Sequence, residues 1–240
     1  MKVLLITSSN LRHLAFINKL KERKDIADVV LVTKKTGDEE FKKCELNHFG
    51  AGWSKWIERT RPMFCSSSVE LHSDEILTRI RTINPDICFV FGAPLLKKEL
   101  FSIPKYGCIN IHTGLVECYR GVDSSYWALY DENPSAIGAT IHYIDNSIDG
   151  GKIIAQRNTE GLSTSDSADD VFMKTCQTGF ELLAENLENI MTGQAKTRSL
   201  KKRGKLFQIK DMNDSIMREV RKKTPAVLEE YLNENNSRSL

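Results

Sequence analysis

The chain has 240 residues, enough for one large domain, or a domain with an appendage, around a substantial core. Forty per cent of the residues are hydrophobic and 28% charged, with a formal net charge of +2, which excludes a strongly acidic or basic molecule. No stretch approaches the ~20 apolar residues of a membrane span, and "MKVLLIT" turns polar at Ser8-Ser9-Asn10, too soon for a signal peptide.

In chain order, "KVLLIT" is a short continuous apolar run of the kind that forms a buried strand. "NLRHLAFINKLKE" follows with Leu11, Leu14, Ala15, Ile17 and Leu20 at helical spacing, and "ADVVLVT" is a second apolar run. That strand–helix–strand order opens a parallel α/β sheet. Residues 38–60 are predicted as a helix carrying Phe41, Phe49, Trp53 and Trp56, broken at Gly50-Ala51-Gly52. "SDEILTRIRTI" is predicted as a helix with Ser73 as its N-cap. "DICFVFG" and "KYGCINIH" are further strands, and "SSYWALYDEN" a helix that ends before Pro134. "AIGATIHYID" and "GKIIAQRN" form a strand pair around the tight return "NSIDGG". A long amphipathic helix is predicted over 166–191, with Val171, Phe172, Leu182, Leu183, Leu187 and Ile190 on its apolar side.

At Ala195 the composition turns basic, from "KTRSLKKRGK" to "RKK". A turn at Gly204, a strand "KLFQIK" and a helix over 213–232 are predicted there, which divides the chain into 1–195 and a small extension, 196–240. Such a charge run is most simply a solvated face. The six cysteines, Cys44, Cys65, Cys88, Cys108, Cys118 and Cys176, contain no CxxC pair. A reduced, cytoplasmic protein without a metal site is expected, with no nucleic-acid or membrane partner.

Open α/β sheets place ligands beyond the strand ends. Asn110 and His112 share a face of one such strand; Asp145 and Asp149 lie in the "IDNSIDGG" turn, and "FGAPLL" breaks another strand at Gly92 and Pro94. An amide, an imidazole and a carboxylate are what acyl transfer to an amine asks for. The amide and a protonated imidazole hydrogen-bond the oxygen that gains charge, and the carboxylate keeps the imidazole charged and helps remove the amine proton. No serine or cysteine nucleophile is required. From the residues alone, His112 fits a satisfied strand-end polar group equally well, and Asp149 an Asx turn.

Asn110-Ile111-His112, Tyr119-Arg120-Gly121 and His142-x-x-Asp145-x-x-x-Asp149-Gly150-Gly151 resemble the signature of the N10-formyltetrahydrofolate-dependent formyltransferases, a likeness running from Asn84 through Gln156. The resemblance implies a Rossmann-like, mostly parallel sheet with helices on both faces. It makes Asn110, His112 and Asp149 the catalytic triad, and Gly92, Ala93, Pro94, Leu95 and Leu96, with Asp145, Asn146 and Ile148, the cofactor-binding segments. N10-formyltetrahydrofolate is then the formyl donor. The family often has Pro two residues before the aromatic of "YRG", where this chain has Glu117.

Three acceptor classes divide that family. Methionyl-tRNA formyltransferases carry a C-terminal β-barrel that residues 196–240 are too few to supply. Glycinamide ribonucleotide formyltransferases cradle the substrate phosphate on a Gly-rich turn after the first strand, and "TSSNLRH" has no glycine there. The resemblance is closest to enzymes acting on nucleotide-linked amino sugars, with Ser9, Asn10, Arg12, Tyr119, Arg120 and Gly121 as expected substrate contacts, helped by Ser8. Glycinamide ribonucleotide is the alternative acceptor. A folate or nucleotide sensor is the non-enzyme alternative, and a dinucleotide oxidoreductase is disfavoured because no GxGxxG follows the first strand. Small-molecule substrates are the expected partners, and assembly as a homodimer is compatible with them.

Overall fold

A computed structural model describes residues 1–20, 26–33, 37–50 and 62–238, with side chains to residue 234. Strands β1 (Val3–Thr7), β2 (Ile26–Val32), β3 (Met63–Cys65), β4 (Ile87–Phe91), β5 (Cys108–His112), β7 (Gly138–Tyr143) and β8 (Ile153–Asn158) form a seven-stranded sheet in the order β3-β2-β1-β4-β5-β7-β8. The five strands from β3 to β5 are parallel, whereas β7 and β8 run antiparallel at one edge. Strands β1 and β4 read as unbroken apolar stretches because both sheet faces are covered there.

Strand residues alternate between two cores. Val3, Leu5, Phe89, Phe91, Ile109 and Ile111 pack against helices α1 (Leu11–Leu20) and α7 (Ala168–Met191), with Phe16, Phe91 and Phe180 in mutual ring contact. Leu4, Ile6, Cys88, Val90 and Cys108 face the other way, onto α3 (Ser68–Leu71), α4 (Asp74–Ile83) and α5 (Lys98–Phe101). Ser73 caps α4 by accepting from the Ile76 N–H. Ser167 caps α7, completing a reciprocal box with Asp170.

Helix α2 (Glu39–Phe49) ends at Gly50. The expectation for Trp53 and Trp56 lies outside the described residues. Strand β3 and helices α3 and α5 escaped the sequence reading, because three or four residues carry no measurable period.

The C-terminal part adds a third cluster. Strand β6 (Tyr119–Gly121) pairs in parallel with β9 (Lys205–Phe207), and α8 (Asp214–Arg238) packs on α6 (Ser124–Tyr130). Tyr119, Tyr126, Trp127, Val171, Val220 and Leu228 are buried between them. Trp127 and Phe207 stack with centroids 3.9 Å apart. Helix α8 runs six residues beyond the expected Leu232. Among the described residues no helix is long and apolar enough to cross a membrane.

Candidate active site

The site is assembled where β5 ends beside β7 and the loop that follows β7. Antiparallel pairing sets Asn110 opposite His142, and the two side chains meet, Asn110 Nδ2 lying 3.3 Å from His142 Nε2. Asp149 enters from the "IDGG" turn with φ +47°, the left-handed region that Asp tolerates better than most side chains. Gly151 is required for that turn, since a Cβ there would sit 1.8 Å from the Tyr143 carbonyl oxygen.

The structure brings Asn110, His112 and Asp149 together. Asp149 Oδ1 accepts from Asn110 Nδ2 at 3.4 Å and lies 3.4 Å from His142 Nε2. Its Oδ2 lies 3.3 Å from His112 Nδ1 and accepts the Gly121 N–H at 2.7 Å. The opposite nitrogen of His112, Nε2, sits 3.0 Å from the Tyr119 carbonyl oxygen and 3.1 Å from Ser124 Oγ.

His112 is only 5% exposed, and this burial lowers its pKa below the ordinary histidine value, against the opposing pull of Asp149. Burial thus favours the neutral ring, whereas Asp149 favours the imidazolium expected from sequence. Burial alone would raise Asp149, but the facing imidazoles of His112 and His142 and the Gly121 N–H outweigh it and hold the carboxyl well below the usual range. Both His112 nitrogens face oxygen atoms, yet a neutral ring carries one N–H. A proton gained by the ring completes the second hydrogen bond.

Of the expected folate segment, Gly92 has φ +62° and a Cβ there would strike His13 Nε2 at 2.3 Å, so only glycine fits. Ala93 and Leu96 pack in one cluster with Ile144, at the root of the Asp145–Asp149 turn, while Leu95 is 66% exposed. Asn146 and Ile148 lie in that turn, whose Asp145 carboxylate accepts from Ser147 N and Oγ at 2.8 and 2.6 Å. The irregular backbone of 92–96 and the apolar lip at Leu95 fit a flat heteroaromatic ring with polar edges.

The expected substrate contacts divide. Ser9 is exposed. Asn10 is mostly buried and its carbonyl starts α1, accepting from the His13 and Leu14 N–H groups at 2.9 and 3.0 Å. Ser8 is fully buried. Arg12 requires a correction: it is 5% exposed, paired with Glu45 and covered by Phe41 and Phe172, so it is spent on the α1–α2 contact. Tyr119 also differs, its ring being buried and its hydroxyl donating to Asp131 at 3.0 Å. Arg120 donates to the Gly204 and Ile148 carbonyls at 3.1 and 3.0 Å, and Gly121 donates to Asp149. The "YRG" element thus builds the Asp149 corner from behind.

Two residues of this corner had no role in the sequence reading. His142 was visible within the motif and sits opposite Asn110. Ser124, which closes on His112 from the first turn of α6, left no signal, since a serine in a helix start is ordinary.

Residues 1–187 match the Formyl transferase family. A methionyl-tRNA formyltransferase of Citrifermentans bemidjiense is 34% identical over 128 residues, covering 52% of this chain and 39% of that protein. The matched part spans less than half the length of such curated relatives. Among solved structures, a 4-N formyltransferase from Francisella tularensis superposes with TM-score 0.65 at 19% identity, covering 93% of this chain and 87% of the other. An N-formyltransferase from Helicobacter canadensis, in complex with folinic acid and dTDP-3-aminofucose, does so with TM-score 0.61 at 18% identity, covering 93% and 80%.

Proposed function

The chain belongs to the formyl transferase family, and we propose that it transfers the formyl group of N10-formyltetrahydrofolate to the amine of a nucleotide-linked amino sugar. The observation that carries this reading is the convergence of Asn110, His112 and His142 on the two oxygens of Asp149. The sugar acceptor is supported by a fold shared with sugar N-formyltransferases over 93% of this chain, and by Arg12, whose pairing with Glu45 withdraws it from any phosphate at the β1–α1 turn.

The folate, held by 92–96 and by the Asp145–Asp149 turn, supplies an activated formyl group on N10. Asn110 donates its amide N–H to the formyl oxygen as that oxygen gains charge. The Asp149–His112 pair takes the proton that the attacking amine must lose, and that proton would go to N10 as the C–N10 bond breaks and tetrahydrofolate leaves. Burial favours neutral His112 beforehand; once protonated, its Nδ1–H donates to Asp149 and its Nε2–H to the Tyr119 carbonyl. His142 and the Gly121 N–H fix the carboxylate so that no reorganisation accompanies the proton's arrival.

The test is a screen of amines with N10-formyltetrahydrofolate, following release of tetrahydrofolate, with nucleotide amino sugars, glycinamide ribonucleotide and initiator methionyl-tRNA as separate arms. The highest kcat/KM is expected for a nucleotide amino sugar; a higher value in either other arm overturns the acceptor assignment. With the best acceptor, Asn110→Ala and His112→Ala should each lower kcat by about 10²–10³. A near wild-type rate in a folded His112→Ala protein contradicts the proton-transfer role.

A further inference from the structure

Helices α2 and α7 bring three donor atoms of different chemistry together. Cys44 and His48 are four residues apart on α2 and therefore share a helix face. Asp170 is the third residue of α7 and meets both of them. Its Oδ1 lies 2.8 Å from His48 Nε2 and 3.3 Å from Cys44 Sγ, and the three donor atoms all lie within 4.8 Å of one another. The other oxygen, Oδ2, is occupied by Ser167, accepting its N–H at 2.9 Å and its hydroxyl at 2.6 Å. Oδ1 is thereby aimed at the cysteine and the histidine by a partner that does not compete for it, the arrangement found behind ligating carboxylates.

We propose that Cys44, His48 and Asp170 bind a zinc ion, with water in the fourth position. A thiolate, an imidazole and one carboxylate oxygen are a zinc ligand set, whereas magnesium and calcium take oxygen ligands alone. Zinc bonds of ~2.0–2.3 Å place tetrahedral ligands roughly 3.3–3.8 Å apart, so side-chain adjustment on two fixed helices suffices. On binding, the Cys44 thiol releases its proton and His48 turns its Nε2 lone pair to the metal, so Oδ1 gives up two hydrogen bonds for one metal bond. The absence of a CxxC pair pointed away from zinc because the three ligands come from two helices far apart in sequence. The ion would fasten α2, whose Glu45 holds Arg12, to the start of α7. None of its ligands is an acyl-transfer group, so the proposal does not depend on the acceptor.

The test uses the full chain, stripped of metal and titrated with Co²⁺, whose thiolate charge-transfer and tetrahedral absorption bands report the ligand set. One equivalent of Co²⁺ should give both bands, and Zn²⁺ should abolish them by displacement. Cys44→Ser should remove the charge-transfer band. His48→Ala and Asp170→Asn should weaken Co²⁺ binding by more than the ~10–100-fold that loss of an outer-shell partner costs. No thiolate band in the wild-type protein overturns the proposal, and so does a band that survives in Cys44→Ser. Should Asp170→Asn fail to fold for want of the α7 cap, Cys44→Ser, which leaves Ser167 and Asp170 intact, decides the matter by itself.

Discussion

Four contacts share the Asp149 carboxylate, two on each oxygen, and their combined geometry makes the pH behaviour of the site readable. His112 has its folded pKa depressed by burial below the ~6.5 of the unfolded chain. The unfolded state therefore binds the proton more readily, so this stabilising contribution is present above pH ~6.5 and is lost as pH falls towards the folded value. Asp149 is also depressed, but from ~3.9, so its contribution persists to lower pH. Because the proposed base is neutral His112, kcat/KM should rise with pH along a limb centred below about 6.5 and stay level above it. A fall in kcat/KM above that pH would mean that the imidazolium is the working form. Ser124→Ala removes one neutral hydrogen bond to His112 Nε2; kcat should drop by up to about tenfold with KM unchanged, the kinetic equivalent of ~0.5–1.5 kcal/mol. The clustering of Asn110, His112 and Asp149 was legible because the three lie in one strand end and one tight turn. Ser124 and the Tyr119 carbonyl were not, because their role depends on where α6 and β6 are carried in space.

At the scale of elements, the basic C-terminal segment is a strap in which Arg198, Lys205, Arg221 and Lys223 are paired with acids of the chain. Arg198 makes two 2.9 Å hydrogen bonds to Glu117, which also accepts from Gln156 and the Lys201 N–H, and these partners lower Glu117 to a pKa of about 2. Lys205 pairs with Asp131, Arg221 with Asp38, Glu40 and Asp169, and Lys223 with Glu132. Glu117, at the position where the family often has Pro, is thus the anchor of the strap. Composition alone exposed the excess of lysine and arginine; the acids that pair with these four are scattered from Asp38 to Asp169, so the pairings were hidden. The strap reaches the chemistry through β6. Gly121 has φ +89°, and a Cβ there would lie 1.9 Å from the Phe207 carbonyl oxygen on β9. Gly121→Ala should cost about 3 kcal/mol or more and abolish activity, because the Gly121 N–H would leave Asp149. Gly193→Ala, with φ +72° and no neighbour within 4 Å, should cost only the ~1–2 kcal/mol of left-handed strain and keep activity. Thermal melts and kcat on the two variants separate clash from strain; equal losses would show that the β6–β9 approach is not tight.

For the molecule as a whole, the β3-β2-β1-β4-β5 order is the half-sheet of a dinucleotide-binding fold, so topology alone does not choose between a nicotinamide dinucleotide and a folate. The loop chemistry does. The β1–α1 turn lacks glycine, and Glu45 closes it: its carboxylate accepts the Arg12 backbone N–H at 3.1 Å and pairs with the buried Arg12 guanidinium, while the Asn10 carbonyl accepts from the His13 and Leu14 N–H groups. A pyrophosphate seated there needs free backbone N–H groups at a close-approach glycine. The 92–96 loop, by contrast, has its close-approach glycine at Gly92 and presents Leu95 to solvent beside the Asp145–Asp149 turn. A ligand that binds only the folded state stabilises it by RT ln(1 + [L]/Kd), about 2.7 kcal/mol at 100-fold excess over Kd. Folinic acid at that excess should therefore raise the melting temperature, and NAD at the same concentration should leave it unchanged. Leu95→Asp, which places a charge on the apolar lip without disturbing the core, should weaken the folate shift while the unliganded melting temperature holds. A shift with NAD and none with folinic acid would mean that the crevice at the β1 end, and not the Gly92 loop, is the one that receives the ligand.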